Sequence, residues 1–141
     1  MKKLFLPCLL LVLPLLSGCA SLTVHREPGS RLASLKKIYV QHRLADGRGI
    51  DLFIVQELQR LGYTAACGPM TMMPDDTEAV VSYADQWTWD FSSYMIELDL
   101  EVSDPRTSKI LATVRYFRPA LMEKPPQEMV QTVIDPLFRR K

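Results

Sequence analysis

One segment near the middle of the chain restricts the fold more than any other. Between residues 96 and 103, apolar and polar side chains alternate without interruption. The apolar positions are Ile96, Leu98, Leu100 and Val102, and the polar ones are Glu97, Asp99, Glu101 and Ser103. A period of two sends these two sets to opposite sides of a β-strand, so one side is wet and the other needs an apolar cover. The segment therefore predicts a sheet with a covering layer on one face.

The flanking segments supply candidates for the rest of the sheet and for the cover. Strand patterns occur at residues 37–42, 63–67, 79–89 and 109–118. Apolar residues at helical spacing run from Ile50 to Leu61 and again from Pro125 to Phe138, where Pro136 is expected to kink or end the helix. We expect an α+β fold of order β-α-β-β-β-β-α, a mixed sheet of about five strands with two helices packed on one face.

The N-terminal segment has the features of an export signal. Met1–Lys3 carries two lysines, and the 13 residues from Leu4 to Leu16 carry no charge. As a helix this run would be ~20 Å long, whereas a hydrocarbon core is ~30 Å thick. Residues 1–18 are therefore predicted to be a signal peptide that is removed from the mature protein.

The end of this signal resembles the lipobox of bacterial lipoproteins, in the sequence Leu16-Ser17-Gly18-Cys19. The resemblance implies that Cys19 becomes the mature N-terminus and carries the lipid, with palmitate among the expected acyl chains. Two or three acyl chains would hold the domain at the membrane essentially permanently. Because Ala20 is not Asp, the resemblance also implies delivery to the outer membrane. The alternative is an unmodified cysteine in an ordinary signal peptide.

The composition of the mature segment limits its partners and its covalent links. Without the first 18 of 141 residues, 15 basic and 16 acidic residues remain, so the strongly basic face of a nucleic-acid-binding protein is not expected. Cys8 leaves with the signal and Cys19 carries lipid, so Cys67 has no internal disulfide partner. Residues 19–35 are expected to be the lipidated cysteine and a flexible tether, and residues 36–141 a single periplasmic domain.

Two motifs, one with histidine and one with glycine, are candidates for catalysis or phosphate binding. His42 has no Gly-x-Ser-x-Gly elbow to accompany it, so a catalytic triad is not expected. Gly47-Arg48-Gly49 could cradle a phosphate before a helix, but it lacks the further glycine and the Lys-Ser/Thr of known phosphate loops. A turn with Asp46 near the helix start explains it more simply.

The carboxylate row of the alternating strand has two interpretations. Glu97, Asp99 and Glu101, with Asp85 on a neighbouring strand, could perform acid–base work or hold a divalent cation. A solvated sheet face beside Arg115 is the simpler interpretation. No catalytic, cofactor-binding or metal-binding residue is therefore assigned, and the single site residue is Cys19 as the lipid attachment.

Two further clusters leave alternatives open. Thiol and thioether groups gather at Cys67, Met70, Met72 and Met73, where they could bind Cu(I) or simply fill the core. Trp87 and Trp89 are expected on one strand face with Tyr94 nearby, and core packing is the favoured role. If these indoles are exposed, they would contact a partner or peptidoglycan.

Taken in order, the segments KIYV, LGY, AVVSYADQWTWD and SDPRTSKIL and the closing helix resemble small bacterial envelope lipoproteins of unknown function. Their domains look like those of the curli-secretion lipoprotein and the N-terminal part of the Tol-system propeller protein. The resemblance spans about residues 35–139 and implies a non-enzymatic binding or assembly module, without a cofactor, with a protein partner in the cell envelope. The alternatives are an accessory subunit of an envelope transport or secretion complex, or a periplasmic metal-handling protein.

Overall fold

The computed structural model describes residues 19–119 and 123–139, so the predicted signal peptide lies outside the described residues. Within them, six strands and two helices form. They are β1 (Ser21–Arg26), β2 (Lys37–Gln41), α1 (Ile50–Arg60), β3 (Thr64–Gly68), β4 (Ala79–Asp90), β5 (Ser92–Ser103), β6 (Ile110–Phe117) and α2 (Pro126–Phe138). Two short 3-10 turns, Leu32–Ser34 and Met70–Met72, lie in the connections. No described helix is long and apolar enough to cross a bilayer.

The six strands form one mixed sheet in the order β1-β6-β5-β4-β2-β3. Strand β2 is parallel to both of its neighbours, and the other pairs are antiparallel. One row of paired residues crosses the whole sheet. Its members are Arg26, Ala112, Val102, Val81, Val40 and Cys67. This row, which we call the reference row, allows heights on different strands to be compared.

Both helices pack on one face of the sheet, where a single apolar core forms. Helix α1 contributes Ile54 and Leu58, helix α2 contributes Val133, and the apolar side of β5 contributes Leu98, all of them fully buried. The alternation along β5 thus has its predicted consequence. The α+β fold is confirmed, with six strands where about five were expected.

The additional strand lies in the segment that was expected to be a tether. Ser21–Arg26 pairs along its whole length with β6, and Leu32 is buried against the core. The expectation of a flexible tether over residues 19–35 is therefore wrong for much of this segment. The alternating sequence of β1 places Leu22 and Val24 opposite core residues of β6, a short pattern that the adjacent Pro-Gly turn obscures. One residue, Ala20, separates Cys19, the predicted site of the lipid, from the first strand of the sheet.

The two helix ends differ in how well the sequence anticipated them. Gly62 follows α1 with a φ of 90°, the left-handed conformation that glycine adopts easily and that was predicted to end this helix. Pro136 was expected to kink or end α2, yet the helix continues to Phe138. Pro136 lies in the last turn, so its missing N–H removes one hydrogen bond near the end of the helix and leaves those of the preceding turns in place.

A candidate functional site at the anchor end of the sheet

The strand register shows which end of the sheet carries the predicted lipid. Ser21 pairs with Phe117, Phe117 with Glu97, and Glu97 with Gln86. Cys19 lies two residues beyond this row, or about 7 Å, at ~3.3 Å per residue. The turn between β4 and β5, at Phe91, lies five residues beyond it in the same direction, or about 16 Å. We call this the anchor end.

The hairpin between β4 and β5 ends in exposed aromatic side chains. Trp89 is 75% exposed and Phe91 is 95% exposed, with Phe91 forming the turn at a φ of 61°. We call Trp89–Phe91 the aromatic tip. Tyr94 is buried and Trp87 packs against the core, as predicted. The same prediction is wrong for Trp89, because the hairpin continues past the region that the core covers.

The base of this hairpin is held by the loop between β2 and α1. The guanidinium of Arg48 lies 3.9 Å from the centre of the Trp87 ring and donates a hydrogen bond of 3.0 Å to Ser93 Oγ. Arg43 forms an ion pair of 2.5 Å with Asp85, which also accepts a hydrogen bond from the indole N–H of Trp87. Cation–π and charge-assisted contacts of this kind fix the orientation of partly buried side chains.

Asp46 is the central residue of that loop. Its carboxylate accepts hydrogen bonds from the backbone N–H groups of Arg48, Gly49 and Ile50, and from the hydroxyl of Tyr83 at 2.7 Å. Burial favours the neutral acid, but the Tyr83 hydroxyl and the backbone donors outweigh it, and the pKa of Asp46 is lowered. Burial and the same carboxylate raise the pKa of Tyr83. Asp46 therefore fastens the start of α1 to β4.

This arrangement decides between the two interpretations of the Gly47-Arg48-Gly49 motif. The backbone N–H groups of Arg48 and Gly49, which a phosphate would need, already donate to Asp46. An anion would have to displace a negatively charged side chain from the helix start. The motif is a capped turn, as the simpler interpretation predicted.

His42 has a buried acidic partner that the sequence did not reveal. His42 Nδ1 lies 2.7 Å from an oxygen of Asp51, whose side chain is 7% exposed. Asp51 also interacts with the Cys67 thiol, and burial followed by the charge of Asp51 raises the pKa of Cys67. These effects favour the protonated thiol. Asp51 contacts both His42 and Cys67 and so lies between them. A nucleophilic triad has the histidine in the middle instead.

The proposed copper ligands differ in their exposure and in the state of the thiol. Met70 and Met72 are exposed, Met73 is half-buried, and the Cys67 thiol is engaged with Asp51. A thiol must lose its proton to bind a metal, which the raised pKa of Cys67 opposes. In the part of the chain that the structure describes, no group of three or more His, Cys, Asp or Glu side chains is arranged to hold a metal.

The carboxylate row lies on the open face of the sheet, away from the helices. Arg115 forms a two-pronged ion pair with Asp99, its closest contact being 2.8 Å, and lies 3.2 Å from Glu97. Asp85 does not join this row, because its position on β4 faces the helices. The row borders a shallow cleft of about 600 Å³ whose other polar side chains include hydroxyl groups such as Thr113. It is a solvated face with internal ion pairs.

The side-chain contacts at the anchor end could not be predicted from the sequence, because they join residues that are far apart in the chain. The loop residues Arg43 and Arg48 lie 42 and 45 positions from their partners Asp85 and Ser93. Contacts over such separations follow from the strand register, which the sequence does not specify. Phe91 was detectable in principle, since it lies between the strand patterns at 79–89 and 96–103 and therefore in the connecting turn.

The fold and this end together define a small α+β domain that presents Cys19 and an aromatic hairpin tip in one direction. No protein-family model matches the chain, and no curated protein matches it either. Among solved structures, the chain is similar to PelC from Paraburkholderia phytofirmans, crystallised as a dodecamer. The likeness covers 87% of this chain and all of that one, at 13% identity and a TM-score of 0.63.

A second crystal form of the PelC dodecamer, from a variant with one substitution, matches over 86% of this chain and all of that one, with 12% identity and a TM-score of 0.65. At such low identity the likeness is one of fold. TolB from Acinetobacter baumannii is more distant, with a TM-score of 0.46 over 80% of this chain and 29% of that chain. A likeness this weak carries no argument about function.

Proposed function

We propose that the protein is a lipid-anchored cell-envelope module that binds or assembles other components and performs no catalysis. The observation that carries this proposal is that Cys19 and the aromatic tip lie at the same end of the sheet. Acyl chains on Cys19 would bring this end to the bilayer. The other end and the open face of the sheet would then be presented to the periplasm.

The short link between the lipid and the sheet makes the orientation of the domain specific. In the processed protein Cys19 and Ala20 alone would precede β1, so the domain would lie close to the membrane instead of at the end of a long tether. The aromatic tip would reach about 10 Å deeper than Cys19, which is the depth of the headgroup interface. Trp residues prefer that interface, and Asp90 would oppose deeper insertion.

The remaining parts of the proposal rest on the sequence resemblances and the fold. Placement in the outer membrane follows from the lipobox resemblance and Ala20. A role in assembly is supported by the fold shared with PelC, whose crystals contain dodecamers. An accessory subunit of an envelope transport or secretion complex is the second candidate, supported by the sequence resemblance to the curli-secretion lipoprotein. A metal-handling role has less support, because the Cys67 thiol is held protonated.

The anchor is tested by replacing Cys19 with serine in cells. A serine hydroxyl cannot form the thioether to a diacylglyceryl group, so Cys19→Ser is expected to accumulate as a precursor that retains residues 1–18. Cys8→Ser, whose cysteine lies inside the predicted signal, is the matched control and should mature normally. Electrophoretic mobility and mass spectrometry of the N-terminus report the outcome. Normal maturation and membrane retention of Cys19→Ser would refute the lipid anchor.

A further inference from the structure

Arg118 is a buried cation at the anchor end of the sheet. It follows Phe117, the last residue of β6, and its backbone N–H continues the pairing with β5 by donating a hydrogen bond of 2.7 Å to the carbonyl of Ile96. The alternation of buried and exposed residues along β6 extends to Arg118, which is 5% exposed. Its side chain therefore lies on the helix side of the sheet, at the level of Ala20, the residue next to Cys19.

The guanidinium of Arg118 lacks partners for two of its three nitrogens. Nε and Nη1 are buried, and neither has a hydrogen-bond partner among the described residues. The nearest acidic residues along the paired strand and along the chain are engaged elsewhere: Glu97 contacts Arg115, and Glu123 accepts a hydrogen bond from Ser92. Arginine keeps its charge in folded proteins, and a buried charge without a partner is strongly destabilising. Such a group indicates an anion that completes the site.

The other arginines of the domain do not have this problem. Among the described residues, Arg118 is the one buried arginine, and the rest are exposed or half-buried, where water solvates the charge. Several of them also pair with a carboxylate of the same chain. These pairs are Arg43–Asp85, Arg60–Glu57, Arg115–Asp99 and Arg139–Asp135.

A cleft of about 450 Å³ lies on the helix side at the same end of the sheet. Its wall includes Met95, and the next residue, Ile96, accepts the backbone hydrogen bond of Arg118. Apolar side chains such as Trp87 line the cleft together with the polar side chain of Lys124. The cleft therefore combines apolar walls with a cationic group, next to the strand position of Arg118.

Three sources of positive charge lie at this end of the domain. They are the guanidinium of Arg118, the ammonium of Lys124 and the first turn of α2, which begins at Pro126 in the wall of the cleft. Glu123 also lines the cleft, but its carboxylate is already bonded to a serine hydroxyl. Lys124 lies 3.7 Å from Glu128, an exposed contact that solvent weakens. The local charge favours an anionic ligand.

We propose that Arg118 and the adjoining cleft bind a phosphate group, supplied by the headgroup of a membrane phospholipid. A planar guanidinium can donate to two phosphate oxygens at once, and the apolar walls of the cleft suit the glycerol and first methylenes of a lipid. Acyl chains on Cys19 would hold this end among the headgroups, where such phosphates are concentrated. The lipid source rests on the proposed anchor, whereas the phosphate site itself does not.

The test is thermal unfolding of the purified full-length protein in dodecyl maltoside at constant ionic strength. Inorganic phosphate is compared with chloride, and phosphatidylglycerol is compared with a diacylglycerol that has the same acyl chains and no phosphate. A phosphate probe at about ten times its dissociation constant should raise the melting temperature by roughly 4 °C or more. A response to phosphatidylglycerol supports the lipid headgroup, and a response to inorganic phosphate alone overturns the lipid as the source.

Three variants assign the response to the guanidinium. Arg118→Met removes the charge and keeps an apolar stem, so it should abolish the response to phosphate and raise the melting temperature without phosphate. Arg118→Lys keeps the charge without the planar fork and should respond more weakly than wild type. Arg115→Met is the matched control, because Arg115 lies on the open face of the same strand and its loss should leave the response unchanged.

Other outcomes overturn the proposal. These are a wild type that responds to neither phosphate probe, an undiminished response in Arg118→Met, and a lower melting temperature of that variant without phosphate, which would show that the fold already satisfies the guanidinium. The mass of the purified protein reports the acyl chains on Cys19 separately. Acylated protein without a response refutes the phosphate site alone, and unacylated protein that responds to inorganic phosphate refutes the anchor alone.

Discussion

Trp87 and Trp89 lie two residues apart on the same strand and have opposite environments. Trp87 packs against the core, stacks on Arg48 and donates a hydrogen bond to Asp85. Trp89 is 75% exposed. The difference is one of position along the hairpin: its base is covered by α2 and the β2–α1 loop, and its tip extends past both. An aromatic residue in a strand can therefore pack in the core or lie exposed to solvent. Its distance along the strand from the covering helix and loop decides which.

The largest expected effect comes from comparing the base of the hairpin with its tip. Leu98 is fully buried at the base, and Leu98→Ala should lower the free energy of unfolding by about 2–5 kcal/mol, since it leaves a cavity. Phe91→Ala at the tip should change it by less than about 0.5 kcal/mol. Urea unfolding of the purified protein in detergent measures both. Equal losses would show that the tip is packed and not exposed.

A second, smaller effect concerns the loop that holds the base. Asp46→Ala removes the acceptor of several backbone N–H groups and of the Tyr83 hydroxyl, so a loss of about 1–2 kcal/mol is expected. Tyr83→Phe is the matched control: it keeps the backbone contacts of Asp46 and should lose less. Thermal unfolding near pH 7 gives the comparison, and an unchanged melting temperature for Asp46→Ala would contradict it.

The pH dependence of the same contact has a definite sign. The pKa of Asp46 is lowered in the folded protein from its ordinary value of 3.8, so its ionised form stabilises the fold above that value. This contribution is lost as the pH falls through the lower, folded-state pKa. The difference in melting temperature between wild type and Asp46→Ala should therefore shrink below about pH 4. A difference that grows with acidification would contradict the assignment.

How much of the fold could be predicted from the sequence depends on whether an element is marked by a local pattern or by contacts between distant residues. The alternation from Ile96 to Val102 and the helical spacing after Ile50 are local, and they predicted the sheet, its cover and the α+β class correctly. β1 was missed because a Pro-Gly turn follows a strand of six residues, so the whole stretch resembled a linker. The pairing of β1 with β6, more than 80 residues later, depends on tertiary packing.

The candidate site was less predictable than the fold. Cys19 was identified as the lipid attachment from its immediate neighbours, and that assignment stays a prediction. Its position at the same end of the sheet as the aromatic tip follows from the register of four strands, which no local sequence pattern specifies. Asp85 illustrates the same limit. It was grouped with the carboxylates of β5, yet it faces the helices and binds Arg43, because which side of β4 it occupies is set by pairing.

The smallest effect is expected on the open face of the sheet. Arg115 is well exposed, so its ion pairs with Asp99 and Glu97 are screened by solvent, and Arg115→Ala should cost less than about 1 kcal/mol. The loss should fall further in high salt. Urea unfolding at low and high ionic strength measures it. A large, salt-independent loss would indicate that this face is covered.

The most direct test of the membrane-facing end is the depth of Trp89 in a bilayer. The purified lipidated protein, reconstituted in phosphatidylethanolamine–phosphatidylglycerol vesicles with brominated acyl chains, should show strong quenching of tryptophan fluorescence. The quenching should persist in Trp87→Phe and disappear in Trp89→Phe, because the proposed orientation would place the exposed indole of Trp89 in the headgroup interface. Absence of quenching in wild type, with the acyl chains on Cys19 verified by mass spectrometry, would contradict this membrane-facing orientation.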